Sequence, residues 1–179
     1  RIDSYDAING GGSTIMILES GATINVDASE ITDMLADETA GRLTISDQAI
    51  TVTGAITVDN SNLLAAVTSG KLTATIATTE TVTELATLSA DGGTNDLTIV
   101  IRAADATAAT AAQLKTINAA TALAVNLTNV TALAGSTLAD LGTLATAIGN
   151  NEFSNDTGIT TIAVTDTTID ATTLLARID

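Results

Sequence analysis

The chain has 179 residues at 17.9 kDa, room for one medium domain or a short run of repeats. Six Lys plus Arg against 21 Asp plus Glu give a net charge of −15, and His, Cys, Pro and Trp are all missing. Those absences exclude a Cys/His zinc site, a thiol nucleophile, a Ser-His-Asp triad and a disulfide framework, and the charge argues against a nucleic-acid or anionic-membrane partner held by basic patches.

The apolar fraction, 45% against 15% charged, predicts a folded chain and not an acidic disordered tail. Tyr5 and Phe153 are the only aromatics, while Thr and Ala exceed a third of the chain. The Thr, Val and Ile content favours strands, and the longest apolar runs, such as 97–101, fall far short of a membrane span. No secretory signal is visible and the first residue is Arg1, so a mature product or an excised fragment is expected.

In chain order, the first predicted pair is a strand at Ile24–Asp27 and a short helix at Ile31–Leu35, capped by Asp27 or Ser29. Gly41 is a predicted helix C-cap before a strand at 42–45. The second pair is a strand at Ile56–Asp59 and a helix at Leu63–Val67, capped by Asp59 or Ser61, with Gly70 opening a strand through Ile76. The third pairs Ile99–Ile101 with a helix at Leu114–Ile117, capped by Thr110; the fourth pairs Ile162–Val164 with Leu174–Ile178, preceded by Asp170. Ile31/Met34, Leu64/Val67, Leu114/Ile117 and Leu175/Ile178 each share one helical face at a three-residue spacing.

The intervals between equivalent positions lengthen from 33 to 50 to 61 residues, so the longer ones must hold an extra strand pair or helix. Thr81–Leu88 and Ser136–Ile148 are the two segments that fit, the latter with a stripe at Leu138, Leu141 and Leu144. Gly- and Asn-rich loops fall at 9–13, 91–96 and 149–158. Helices alternating with strands lead to parallel pairing. The fold class expected is a repetitive solenoid of mixed β with short α-helices, either a parallel β-solenoid or an α/β solenoid. The competing fold, a tandem immunoglobulin-like β-sandwich, would lack helices. Approximate units are 1–27, 28–60, 61–109, 110–169 and 170–179, the last being the start of a next unit, and Arg177-Ile178-Asp179 repeats Arg1-Ile2-Asp3 as in a longer tandem array.

The stretches ADATAATAAQLKTINAATALAVNLTNVTALAG, NLLAAVTSGKLTATIATTETVTELATL and GITTIAVTDTTIDATTLLARID resemble the tandem Ala/Thr/Asp-rich repeats of very large secreted or cell-surface proteins of cyanobacteria and other Gram-negative bacteria. The resemblance implies an extracellular or cell-surface structural role, in a filament, matrix or adhesin, often with calcium, and no enzyme activity. A chain without Cys or Pro suits folding after export. The expected function is a building block of an extracellular filament, matrix or surface layer. Its partners are further copies or neighbouring modules, met through end-to-end and strand-edge contacts, with no nucleic acid and no membrane insertion. A calcium-dependent adhesin module is the alternative.

Calcium is the one cofactor the residues could support, because hard oxygen donors are plentiful and soft ones absent. The candidate ligands are Asp91, Asn95 and Asp96, in a stretch close to the Gly-Gly-x-Gly-x-Asp repeat but lacking its third Gly, and Asn155 and Asp156 in the 149–158 loop. An ordinary turn is the favoured reading of each cluster, since Asp and Asn favour turns without any metal. Asp33 and Asp37 share a helix face and are read as solvated rather than as a hydrolase pair. Thr51/Thr53, Thr73/Thr75 and Thr79/Thr81 are read as solvent-facing strand residues. Asn126, Asn129 and Asn155 open N-glycosylation triplets expected to go unused in a bacterial chain.

Overall fold

The computed structural model describes residues 16–89 and 94–166. Asp91, the 9–13 loop, the terminal Arg-Ile-Asp triplets, Asp170 and the Leu174–Ile178 helix lie outside the described residues. The strands are β1 Met16–Ile17, β2 Thr23–Asp27, β3 Leu43–Thr44, β4 Ala49–Ile56, β5 Leu72–Ile76, β6 Asp96–Thr98, β7 Val125–Asn126, β8 Ala132–Ser136, β9 Phe153–Ser154 and β10 Thr161–Val164. Between them run α1 Ile31–Thr39, α2 Val58–Val67, α3 Val82–Leu85, α4 Ala111–Asn118 and α5 Leu138–Gly149.

Every strand pair among the described residues is parallel, in a four-stranded sheet of order β2-β4-β5-β6 and three two-stranded sheets, β1-β3, β7-β9 and β8-β10, with no closed barrel. Parallel neighbours need a crossover, and helices supply most of them. Thr23 lies beside Ala49, Ile50 beside Leu72 and Thr73 beside Asp96, so successive pairings advance 26, 22 and 23 positions. Past β6 the ladder continues through Val100 against Asn126, whose amide donates to the Ile99 carbonyl at 2.9 Å. The mixed α/β architecture with parallel strands follows the expectation, and helices plus parallel pairing depart from an immunoglobulin-like sandwich, which is antiparallel.

Alternation explains the strands. In β2 the β-branched Ile24 and Val26 point inward while Asn25 and Asp27 point out, and Ile24, Ile50 and Leu72 meet side by side across three strands, all fully buried. The helices close the interior from the other side with Ile31 and Met34, Val58 and Leu64, Val82 and Leu85, and Leu114 and Ile117. Each such aliphatic side chain contributes roughly 1.5–3 kcal/mol on burial, so aliphatics carry the core, with Phe153 the one aromatic buried among them in the described residues. The two long sequence intervals do hold an extra helix each, α3 and α5.

Three boundaries need correction: β6 ends at Thr98, so the expected strand Ile99–Ile101 keeps only the Val100 bridge; β9 falls inside the expected 149–158 loop; and the second expected strand ends early. The alternating Ile56-Thr57-Val58-Asp59 reads as a strand, yet β4 ends at Ile56 and α2 begins at Val58. Thr57 is the cap: its Oγ1 accepts the Asn60 amide at 3.1 Å, in place of the expected Asp59 or Ser61. A side-chain acceptor for an otherwise unpaired first-turn amide outweighs the β preference of Val58. Thr110 caps α4 as expected, and Asp27 caps the 3-10 turn Ala28–Glu30 that leads into α1.

α3 and α4 open with reciprocal capping boxes, Thr81 with Glu84 and Thr110 with Gln113. The Thr81 amide donates to Glu84 Oε2 at 2.7 Å, and this bond, followed by that from the Thr81 hydroxyl, holds the Glu84 carboxyl below its ordinary pKa. A carboxyl depressed in the folded state stabilises above its unfolded pKa and loses that contribution as pH falls through the folded value. Glu84→Gln, which copies Gln113, is therefore expected to match the parent near neutral pH and to lose less stability below about pH 4. Parallel melting curves with pH check this; identical pH slopes would count against the assignment.

Candidate functional site

The calcium candidates in the described residues are engaged in the fold. Asn95 is buried, and its Oδ1 accepts the Leu72 amide at 2.9 Å, one strand back. Asp96 begins β6 and pairs with Lys71 at 2.5 Å. Asn155 sits in the left-handed region at φ 57°, its Nδ2 donating to Asn126 Oδ1 at 3.1 Å, and Asp156 opens the 3-10 turn Asp156–Gly158. Among the described residues no group of three or more His, Cys, Asp or Glu is placed to hold a metal ion. Glu152, in the same loop, accepts from Asn118 Nδ2 at 2.5 Å and Asn150 Nδ2 at 3.2 Å.

Other residues singled out from sequence also resolve into structural roles. Asp33 is exposed, but Asp37 is buried against Arg42, whose Nε donates to its Oδ1 at 2.7 Å, so the pair does not form one solvated face. Asn129 Nδ2 donates to the Ile101 carbonyl at 2.8 Å, and Asn126 Oδ1 accepts the Thr128 amide at 2.9 Å. Thr51 lies beside Thr73, and Thr75 beside Thr98, but a register shift in β4 around Gly54, at φ 94°, breaks the threonines into short stretches.

Sequence reasoning missed the buried polar residues that join one pairing level to the next. Gln48, Thr68, Asn95 and Thr121 line a corner ahead of successive strands. Thr68 Oγ1 donates to the Gln48 carbonyl at 2.6 Å, Asn95 takes the Leu72 amide, and Thr121 Oγ1 accepts the Leu97 amide at 3.0 Å. Every buried side-chain nitrogen or oxygen among the described residues has a hydrogen-bond partner. The corner is thus satisfied internally and leaves no orphaned group aimed at a ligand.

Charge is arranged the same way. The four described cations each face a carboxylate: Arg42 on Asp37, Lys71 on Asp96, Arg102 on Asp105, and Lys115 on Asp140. Lys71–Asp96 and Lys115–Asp140 both span 25 positions, tying neighbouring levels together. Among the described residues acids far outnumber these four cations. Asp27 and Asp47 are held below the ordinary carboxylate range chiefly by the hydroxyls of Ser29 and Ser20.

The surface with chemistry left over is the last one described. Between α5 and β10 runs an open groove of about 1140 Å³, lined by Leu138, Leu141, Ala145, Ile148, Ile159 and Ile162 among others. Among the described residues β10 pairs only with β8, and it is exposed at every residue. The Leu138/Leu141/Leu144 stripe is legible in the sequence as a helical stripe, and of the three only Leu144 is buried. No described helix is long and apolar enough to cross a membrane. The chain matches no family model, no curated protein and no solved structure.

Proposed function

We propose that the chain is a solenoid segment and acts as a structural building block of an extracellular filament, matrix or surface layer, without catalytic activity. The observation that carries this reading is the parallel pairing of β2, β4, β5 and β6 in chain order, continued by side-chain bonds across 20 to 34 positions. Each level is held by the one before it, and a level with free strand edges and apolar side chains can take another. Load along such an array is borne by main-chain bonds, apolar stacking and the cross-level ion pairs. The net charge of −15 supplies a repulsion between chains that salt screens, so association strengthens with ionic strength.

Electron microscopy and light scattering across a salt series test the reading. Elongated particles whose length grows with concentration and ionic strength are expected, with melting unchanged by a calcium chelator. Compact monomers at every concentration and salt level would overturn assembly. Melting that rises with added calcium would favour the adhesin.

A further inference from the structure

Six large apolar side chains stand exposed among the described residues, and four of them belong to the first and last strands. Met16 and Ile17 of β1 are 39% and 77% exposed, and Ile162 and Val164 of β10 are 51% and 41% exposed. The other two, Leu63 and Leu123, are single exposures of the kind any surface carries. Apolar residues exposed in company are what mark a contact surface.

Both strands also have an edge to offer. Among the described residues β1 pairs only with β3 and β10 only with β8, each in parallel. β3 follows β1 in the chain and β8 precedes β10, so the two unpaired edges face opposite ways along the ladder. The last level carries a hollow, the groove of about 1140 Å³ lined by Leu138, Leu141, Ile148, Ile159 and Ile162. The first level carries a projection, Met16-Ile17-Leu18, of which only Leu18 is already packed on the core.

The geometry points to a joint between two copies of this chain. Met16 and Ile17 of one copy enter the groove between α5 and β10 of the next, and β1 adds in parallel to the free edge of β10. The inference rests on the filament reading and names its joint. A projection and a hollow at opposite ends of one molecule make a heterologous contact, which propagates as an open chain unless its rotation closes a ring. The rival occupant is the β10 end of a second copy. A two-fold pair of that kind would set β10 antiparallel to itself, against the parallel order of every described ladder, and would stop at two chains. It would also leave Met16 and Ile17 in water, whereas the head-to-tail joint covers both exposed pairs at once. Glu19 follows the projection, and Glu152 and Asp156 line the groove, so like charges meet at the joint and salt must screen them.

The chain has no cysteine, so single thiols can be placed without competition. Full-length Ile17→Cys and Ile162→Cys proteins, one of them isotope-labelled, are mixed at an ionic strength where the parent elongates and treated with a short bis-maleimide. Links from position 17 to position 162 between labelled and unlabelled chains are expected, at least tenfold more abundant by mass spectrometry than links from 162 to 162. An excess of links from 162 to 162 would show the tail-to-tail pair and overturn the joint. Elongated particles with neither link would overturn the joint and leave the filament reading standing. A parent that stays monomeric at every salt concentration would overturn both. As a second readout, Ile17→Asp is expected to raise the concentration needed for elongation at least tenfold with melting unchanged. Leu63→Asp, which adds the same charge at an exposed residue of α2 away from both end strands, is expected to elongate as the parent does. Equal loss in the two variants would also overturn the joint.

Discussion

Replacing Gly70 with alanine is expected to destabilise the fold by about 3 kcal/mol, at the upper end of overpacking costs. A Cβ at this position would stand 2.3 Å from the Gln48 carbonyl oxygen, 2.5 Å from its carbon and 2.7 Å from the Asp47 oxygen. All three are backbone atoms of the preceding level, so no side chain can turn aside. That backbone is pinned from several directions. The Ser46 amide donates to Gln48 Oε1 at 2.7 Å, Gln48 Nε2 donates to the Glu19 carbonyl at 3.1 Å, and Thr68 Oγ1 donates to the Gln48 carbonyl at 2.6 Å. To admit one methyl group the corner must give up some of these bonds, and Gln48 is itself buried. Gly149→Ala is the control, since nothing lies within 4 Å of its added Cβ and its residue is helical. There alanine should be neutral or slightly stabilising. Urea melts of the two variants check the contrast; a Gly70→Ala protein within 0.5 kcal/mol of the parent would refute the close-approach account.

Gly70 also shows what a sequence can and cannot say. Gly41-Arg42-Leu43 and Gly70-Lys71-Leu72 look alike, each a glycine at the junction between a helix and a strand. Gly41 closes its helix at φ 69°, with the Gly41 amide donating to the Glu38 carbonyl at 2.9 Å and the Arg42 amide to the Asp37 carbonyl at 2.8 Å, a Schellman closure. Gly70 is there because another level passes too close for a side chain, a reason written 22 residues away at Gln48. Local patterns such as the alternation in β2, the caps at Thr110 and Asp27 and the Leu138 stripe were legible because their partners lie within a turn or a strand. Asp37, Asn95 and Thr121 were not, because a buried polar residue reads like a loop residue until its partner is in place. For the same reason the residues of an apparent calcium turn, Asn95 and Asp96, turn out to hold Leu72, where the strand before begins, and Lys71 just ahead of it.

Asn95→Ala is the second large effect expected, a loss of about 1–3 kcal/mol from an amide left buried without an acceptor. The Asn95 side chain is 1% exposed, and its Oδ1 takes the Leu72 amide at the point where β5 begins. Alanine removes that acceptor, and the site is too well covered for water to replace it without rearrangement. The backbone of Asn95 is tied in as well: its carbonyl accepts the Ala122 amide at 2.8 Å, so displacement there reaches the next level. Thr121→Val removes the matching acceptor one level on, orphaning the Leu97 and Leu123 amides that Oγ1 accepts at 3.0 and 3.1 Å. Because Thr121 Oγ1 also lies 3.3 Å from the Asn95 carbonyl oxygen, the two losses are expected not to add. Denaturation with and without calcium separates the structural role from the metal-ligand reading of Asn95. A connector between levels costs the same stability under both conditions, and exchange at the Leu72 amide rises in each. A ligand would show its penalty only when calcium is present, and that outcome would return Asn95 to a metal site.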